Sequence, residues 1–327
     1  GSSIFVEFFF VLSGFVLVHR YAYGYNRSIN FKTFMQARFF RLYPLHFFMF
    51  LVFVALEFGK LFAYHFWGFV FNDEPFTNAS AISEMLPNLL LIQSWTSFTN
   101  PSSFNAPSWS ISIEFYLYIL LFLTVVIFKK NRIFCWACVS FIALLFIYFE
   151  SEILMPNVLR GISCFFGGAV TYLIYQKLSH FKLSFLAGSI IEGAMLICVV
   201  LVVQSHEEYR TTAAPVVFFL TVLFFAFESG CFSSLLQMSP LQYAGKISYS
   251  IYMTHAAILF MVTSSAMVLQ RATGVEMARM TETTRYINFG SESINNLIVI
   301  IVLTIVIYVS SLSYKHIEVK GQNLIKS

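Results

Sequence analysis

The chain has 327 residues, of which 58% are hydrophobic and 11% charged, with a formal net charge of +4 and 40 phenylalanines. Soluble domains carry roughly 25% charged residues, and a soluble core cannot hide apolar runs that recur down the whole length. The runs are continuous and near twenty residues long, which excludes the short alternating strands, roughly ten residues each, of a membrane β-barrel.

The composition therefore predicts an all-α polytopic membrane protein. A window of roughly 19 residues places its spans. Nine result, at 4–19, 45–68, 107–128, 133–149, 157–176, 184–203, 212–230, 247–269 and 293–314. A further apolar stretch at 86–95 is too short to cross and reads as re-entrant or interfacial. No soluble domain or repeat interrupts the chain, so 1–327 reads as one membrane domain. The five cysteines fall in or beside apolar runs and read as small buried hydrophobes, the Cys135-x-x-Cys138 pair included.

Lys and Arg placement orients the spans. One set of alternate connections holds fourteen basic residues, among them Arg20, Arg27, Lys32, Lys129, Lys130 and Lys326. The opposite set holds Arg210, Arg271, Arg279 and Arg285. The first set is assigned to the cytoplasm, which puts the C-terminus inside and Gly1 on the outer face. A first span that starts outside reads as the remainder of a longer protein with at least one span upstream. The longest outer loop is 69–106.

A charge at mid-bilayer costs about 2.5–3.5 kcal/mol and marks a bundle interior or a water-filled cavity. Glu7, Glu57, Lys60, Glu114, Arg160, Glu192 and His255 are such groups. Glu57 and Lys60, three apart, read as a structural pair on one helix face. Ser110, Glu114 and Tyr118 recur every fourth residue on one face, so Glu114 lies about 6 Å along the axis from Ser110. That stripe reads as the wall of an aqueous pocket, or as a glutamate pinned by an Arg or Tyr of a neighbouring helix. Ser248, Tyr252 and His255 also share a face. The imidazole is either a proton carrier near neutral pH or a satisfied hydrogen-bonding group. His19, His46, His180 and His316 fall near the inner interface and read as interfacial anchors.

Arg38 and Arg41, in QARFFRLYP, are three apart on one side of a short helix, with no acid nearby in the sequence. Pro44 stands at a natural start for the next span. The pair reads as a positive-inside anchor or as an anion site, since two guanidinium forks on one face suit phosphate. Lipid headgroups compete for that role.

These residues fall in five stretches: IFVEFFFVLSGFVL (4–17), RFFRLYP (38–44), NAPSWSISIEFYLYI (105–119), GKISYSIYMTH (245–255) and HIEVKG (316–321). In this order they resemble the acyltransferase 3 family of membrane-bound acyltransferases over almost the whole chain. The resemblance implies about ten membrane helices with both ends cytoplasmic, and hence loss of the first here. It implies an enzyme, transferring groups other than amino-acyl groups. The donor would be cytoplasmic acyl-CoA, often acetyl-CoA, and the acceptor a hydroxyl of a carbohydrate or other cell-envelope molecule, in a bacterial inner membrane.

The same resemblance puts the CoA phosphates at Arg38 and Arg41 and catalytic roles at Glu7, Glu114 and His255. Asn105, Trp109 and Ser110, at the outer mouth, would then bind the acceptor glycan. Membrane lipids complete the expected partners; no metal and no nucleic acid are expected. Two departures stand out. The family's proposed catalytic histidine lies upstream of the FF…LSGF motif, beyond where this chain begins. In the tail, Glu318 is followed by Val319 where proline is usual. Two rival readings use the same residues: a transporter permeating along the polar stripes, and an inactive fragment of the enzyme.

Overall fold

The structure, a computed structural model, describes residues 4–23, 30–281 and 284–324. Gly1, Arg27 and Lys326 of the charge pattern lie outside the described residues. The protein is 78% helical. Helix α1 (Phe5–Leu17) runs on through a π-helical turn to Tyr23, and α2 (Phe31–Trp67), α3 (Met85–Leu89), α4 (Ser108–Phe128) and α5 (Arg132–Tyr148) follow. Next come α6 (Pro156–Leu178), α7 (Phe185–Gln204), α8 (Glu207–Phe225), α9 (Cys231–Leu236) and α10 (Ser239–Thr273). A hairpin of β1 (Ala278–Thr281) and β2 (Thr284–Ile287) precedes α11 (Glu292–Ser313), which continues through a π turn into α12 (Val319–Asn323). In hydrocarbon every backbone group must be paired within the segment, which is why such apolar runs become helices.

Among the described residues, six helical stretches are long and apolar enough to cross a membrane: Phe31–Trp67, Ser108–Tyr148, Pro156–Leu178, Phe185–Gln204, Ser239–Thr273 and Glu292–Asn323. Length and composition thus do not reproduce nine spans. Helix α1 has 13 residues, and Arg210–Phe225 is also short. The 41-residue stretch Ser108–Tyr148, however, is two helices. Trp136 Nε1 donates to Thr124 Oγ1 at 2.8 Å. A straight helix would hold these residues about 18 Å apart, so the chain reverses at Lys129–Asn131, where Lys129 takes φ +41°.

Other local departures have physical causes. Pro44 lies inside α2, not at a helix start, and Arg38 and Arg41 belong to this 37-residue helix rather than to a short one. A mid-helix proline leaves the carbonyl four residues back without its N–H; here that is Phe40. The tail packs on this spot. A Cβ on Gly321 would lie 2.7 Å from Pro44 Cγ and 3.2 Å from the Phe40 oxygen, so glycine is needed for the approach. His46, expected at the interface, is 1% exposed, and its Nε2 lies 3.0 Å from the Asn88 carbonyl oxygen. The stretch 86–95 forms α3 and turns, and the β hairpin pairs Ala278 with Ile287.

The chain forms two compact units: unit 1 is Gly1–Met35, Ser94–Thr96 and Ile113–Gly245, and unit 2 is Gln36–Gln93, Ser97–Ser112 and Lys246–Ser327. Unit 1 packs α1 against α6 and α8, and α5 against α6. At the α1–α6 crossing a Cβ on Gly14 would overlap the Phe165 carbonyl, and one on Gly168 would overlap that of Val11. Small residues allow membrane helices this approach. Phe10, Val11, Phe165, Phe166 and Phe218 fill the core around it. Unit 2 is organised by α10. Tyr249 donates to the Leu42 carbonyl of α2 at 2.6 Å, and the Thr254 and Ser310 hydroxyls, from α10 and α11, are 2.9 Å apart.

Candidate active site

In unit 1, helical spacing turns Glu7, Phe10, Val11, Gly14 and Leu17 to the buried face of α1. Glu7 is 3% exposed. Arg160 Nε of α6 lies 3.8 Å from its Oε1, and the Cys164 thiol, one turn along α6, is 4.0 Å from Oε2. Opposite charges at membrane depth compensate one another this way, since either alone would be costly there.

Glu114 is half-buried. Its Oε1 accepts the Ser13 hydroxyl of α1 at 2.7 Å and the Tyr118 hydroxyl of its own helix at 2.5 Å. Two short hydroxyl bonds fix the orientation of the carboxyl group. Both fall on Oε1. The pinning residues are a Tyr and a Ser; the arginine goes to Glu7. Glu192 has a structural role. It accepts the backbone N–H groups of Gly230 at 2.9 Å and of Phe232 and Ser233 at 3.0 Å, together with the Ser233 hydroxyl, and so closes the start of α9.

In unit 2, His255 is half-buried on α10. Its Nδ1 lies 2.8 Å from the Tyr252 carbonyl oxygen and 3.3 Å from that of Ile251. Carbonyls only accept, so Nδ1 carries a proton here, and Nε2 is the ring nitrogen turned away from these two carbonyls. The Tyr252 ring stands 6.0 Å away, and its hydroxyl accepts from Ser110 at 3.0 Å. Asn105, 2% exposed, donates to the Met253 carbonyl at 3.0 Å. Asn105 and Ser110 thus hold the start of α4 to α10, while Trp109 is half-buried on the first turn of α4.

Arg38 is buried and Arg41 exposed, on the same side of α2. An acid comes to them from the far end of the chain. Glu318, 5% exposed, accepts the Ser250 hydroxyl at 3.1 Å and stands within electrostatic reach of Arg41.

The model of the family described as an acyltransferase domain matches residues 1–315. The chain belongs to this acyltransferase 3 family, and it is an integral membrane protein. It is also similar to acyltransferase MdmB of Streptomyces mycarofaciens, 36% identical over 118 residues. That stretch covers 36% of this chain and 27% of the relative. No solved structure matches.

Each of the five family stretches is hydrogen-bonded directly to another. Ser13 to Glu114 joins 4–17 with 105–119. Asn105 to Met253 joins 105–119 with 245–255. Tyr249 to Leu42 joins 245–255 with 38–44, and Ser250 to Glu318 joins it with the tail. The residues that make these joints, Ser13, Tyr249 and Ser250, were not singled out in the sequence. Each is a hydroxyl in an apolar span within a quoted motif, which was the available signal; its partner was not legible.

Proposed function

We propose that this protein moves an acyl group, acetyl in the simplest case, from cytoplasmic acyl-CoA to a hydroxyl of a carbohydrate or other envelope acceptor. It acts in a bacterial inner membrane with its C-terminus in the cytoplasm. The observation that carries the reading is the set of four hydrogen bonds that ties the five family stretches to one another. Each bond brings residues far apart in the chain together within one unit, and polar groups paired between helices in hydrocarbon hold that arrangement.

The donor's phosphates meet Arg41, exposed on α2, with Arg38 behind it. The acceptor hydroxyl gives its proton to a base, its oxygen attacks the thioester carbonyl, and the CoA thiolate leaves. His255, with Nδ1 turned to the Tyr252 carbonyl, presents Nε2 for such a transfer. Glu114 orients a hydroxyl or cationic group, and Glu7 with Arg160 fixes the charge balance of unit 1. Trp109 serves the acceptor's side by contact, while Asn105, buried on the Met253 carbonyl, and Ser110, bonded to Tyr252, hold the start of α4 in place for it.

The test is release of free CoA thiol by purified protein in lipid nanodiscs, coupled to O-acylation of an added glycan. Thiol release should depend on the glycan, and His255→Gln should lower kcat by about a hundredfold or more. Solute flux with the thioester left intact would overturn the reading.

A further inference from the structure

Unit 2 contains a cavity of about 420 Å³ that none of the catalytic assignments uses. Ligand pockets run from about 300 to 1,000 Å³, so a single small ring fits. Two helices wall it with matching periodicity. Phe53, Leu56, Glu57 and Lys60 of α2 face it, as do Phe260, Thr263, Ser264 and Met267 of α10. Both sets recur at i, i+3, i+4 and i+7, one continuous helix face. The loop 71–80 and Phe104 complete the wall, and Arg285 enters from the β hairpin. By the charge pattern this is the outer end of the unit.

The chemistry of the wall selects a class of ligand. Its charged groups balance, two carboxylates (Glu57, Asp73) against two cations (Lys60, Arg285). Glu57 and Lys60 are paired at 3.0 Å. Arg285 is not poised for a phosphate: its three nitrogens bond the Ala278 and Val70 carbonyls and Asn72 Oδ1. An anion would therefore meet no open cationic fork. What remains is hydroxyl chemistry. Asp73 Oδ1 accepts from Asn78 Nδ2 at 2.6 Å, which leaves its second oxygen as a further acceptor on the wall. Thr263 and Thr77 donate to the Leu259 and Glu74 carbonyls, so each oxygen can still accept. Phe53, Phe71, Phe104 and Phe260 add aromatic surface beside these acceptors. Acceptors for O–H groups next to aromatic faces, at zero net charge, suit an uncharged polyhydroxylated ring.

We infer that this cavity binds a neutral sugar ring of the acceptor, a site separate from the donor arginines. The word acceptor rests on the acyl-transfer reading; the sugar-ring assignment does not. Phe104 adjoins Asn105 in sequence, so the cavity continues the acceptor side of unit 2. Glu57 and Lys60, read as a structural pair, form part of its polar wall while remaining paired.

The probes are methyl glucoside, methyl galactoside and methyl N-acetylglucosaminide, with the full chain in nanodiscs. Binding is read by saturation-transfer NMR, and turnover by thiol release from acetyl-CoA. Thr263→Phe and Ser80→Phe fill the cavity from opposite walls without touching an ion pair, and Thr263→Val is the control that keeps the volume. Either bulky variant that melts within a few degrees of the native protein serves. It should weaken binding of at least one probe by about tenfold or more and raise the acceptor KM, with the acetyl-CoA KM unchanged. If no probe binds the native protein, or the bulky variants bind as well as it does, the cavity is not a sugar site. If the variants lose sugar binding while the native protein never releases CoA thiol, the cavity assignment stands and the acyl-transfer reading falls.

Discussion

In unit 1, buried charge ends on a partner inside the unit. Glu7 faces Arg160, Glu114 takes two hydroxyls, and Glu192 closes a helix start. In unit 2 the buried polar groups are left more open. Among the described residues, Asn88 Oδ1, Gln93 Oε1, Asn105 Oδ1 and His46 Nδ1 are buried with no hydrogen-bond partner, against only the Ser163 and Ser229 hydroxyls in unit 1. Unit 2 also has the cavity and the exposed Arg41. A buried acceptor without a partner costs about 1–3 kcal/mol unless water or a ligand reaches it. The contrast assigns the two units different work. On the proposed reaction, unit 1 mainly holds fixed charge in the membrane, with Glu114 as its substrate-facing group, and unit 2 keeps most of the valences that meet substrates.

The largest effect that can break this contrast is at the Glu7–Arg160 pair. Arg160→Met leaves Glu7 without its cation and should cost about 3–5 kcal/mol, seen as loss of monodisperse protein after detergent extraction. The double variant Glu7→Gln with Arg160→Met should recover much of it. Stable single variants with abolished turnover would instead make unit 1 catalytic in its own right. A smaller effect compares hydroxyls. Ser13→Ala removes a bond to a charged acceptor, about 1.5–3 kcal/mol, and Ser110→Ala a bond to a neutral one, about 0.5–1.5 kcal/mol. Thermal unfolding in nanodiscs should rank them in that order; the reverse order would show Glu114 to be loosely held. The smallest effect is at the tail. Glu318→Gln keeps an acceptor for Ser250 but removes the negative charge beside Arg41. CoA should bind about two- to fivefold more tightly at low salt, with the gain fading as ionic strength rises. Weaker binding would mean that Glu318 positions Arg41 rather than neutralising it.

The fold was legible where the sequence speaks locally. Apolar runs gave the helices, and the Glu57–Lys60 spacing gave a pair that the structure joins at 3.0 Å. Motif order gave the family. What was hidden depends on residues far apart in the chain. Nothing near Arg41 announces Glu318, and Glu7 and Arg160 carry no mark that they belong together beyond opposite sign. Pro44 read as a helix start because proline usually stands there; its place inside α2 is accommodated by Gly321, far along the chain. His46 read as interfacial because hydropathy ignores the Asn88 carbonyl that makes a buried imidazole tolerable. The reversal at Lys129–Asn131 was expected from hydropathy, and the hydrogen bond between Trp136 and Thr124 shows it. The cavity could not be anticipated, since its two walls are helix faces that only tertiary packing sets opposite one another.

The most direct measurement is the CoA dissociation constant of the full chain in nanodiscs, by calorimetry, for the native protein, Arg41→Ala and Arg38→Lys. Arg41 is exposed, so the variant should fold even though the buried Glu318 loses a neighbouring cation. Arg41→Ala should weaken CoA by about tenfold or more, a loss of roughly 1.4 kcal/mol, and flatten the salt dependence of binding. Arg38→Lys should weaken it less, since the charge stays while the fork is lost. Unchanged affinity and an unchanged salt slope in both variants would contradict the assignment of the donor's phosphates to this helix.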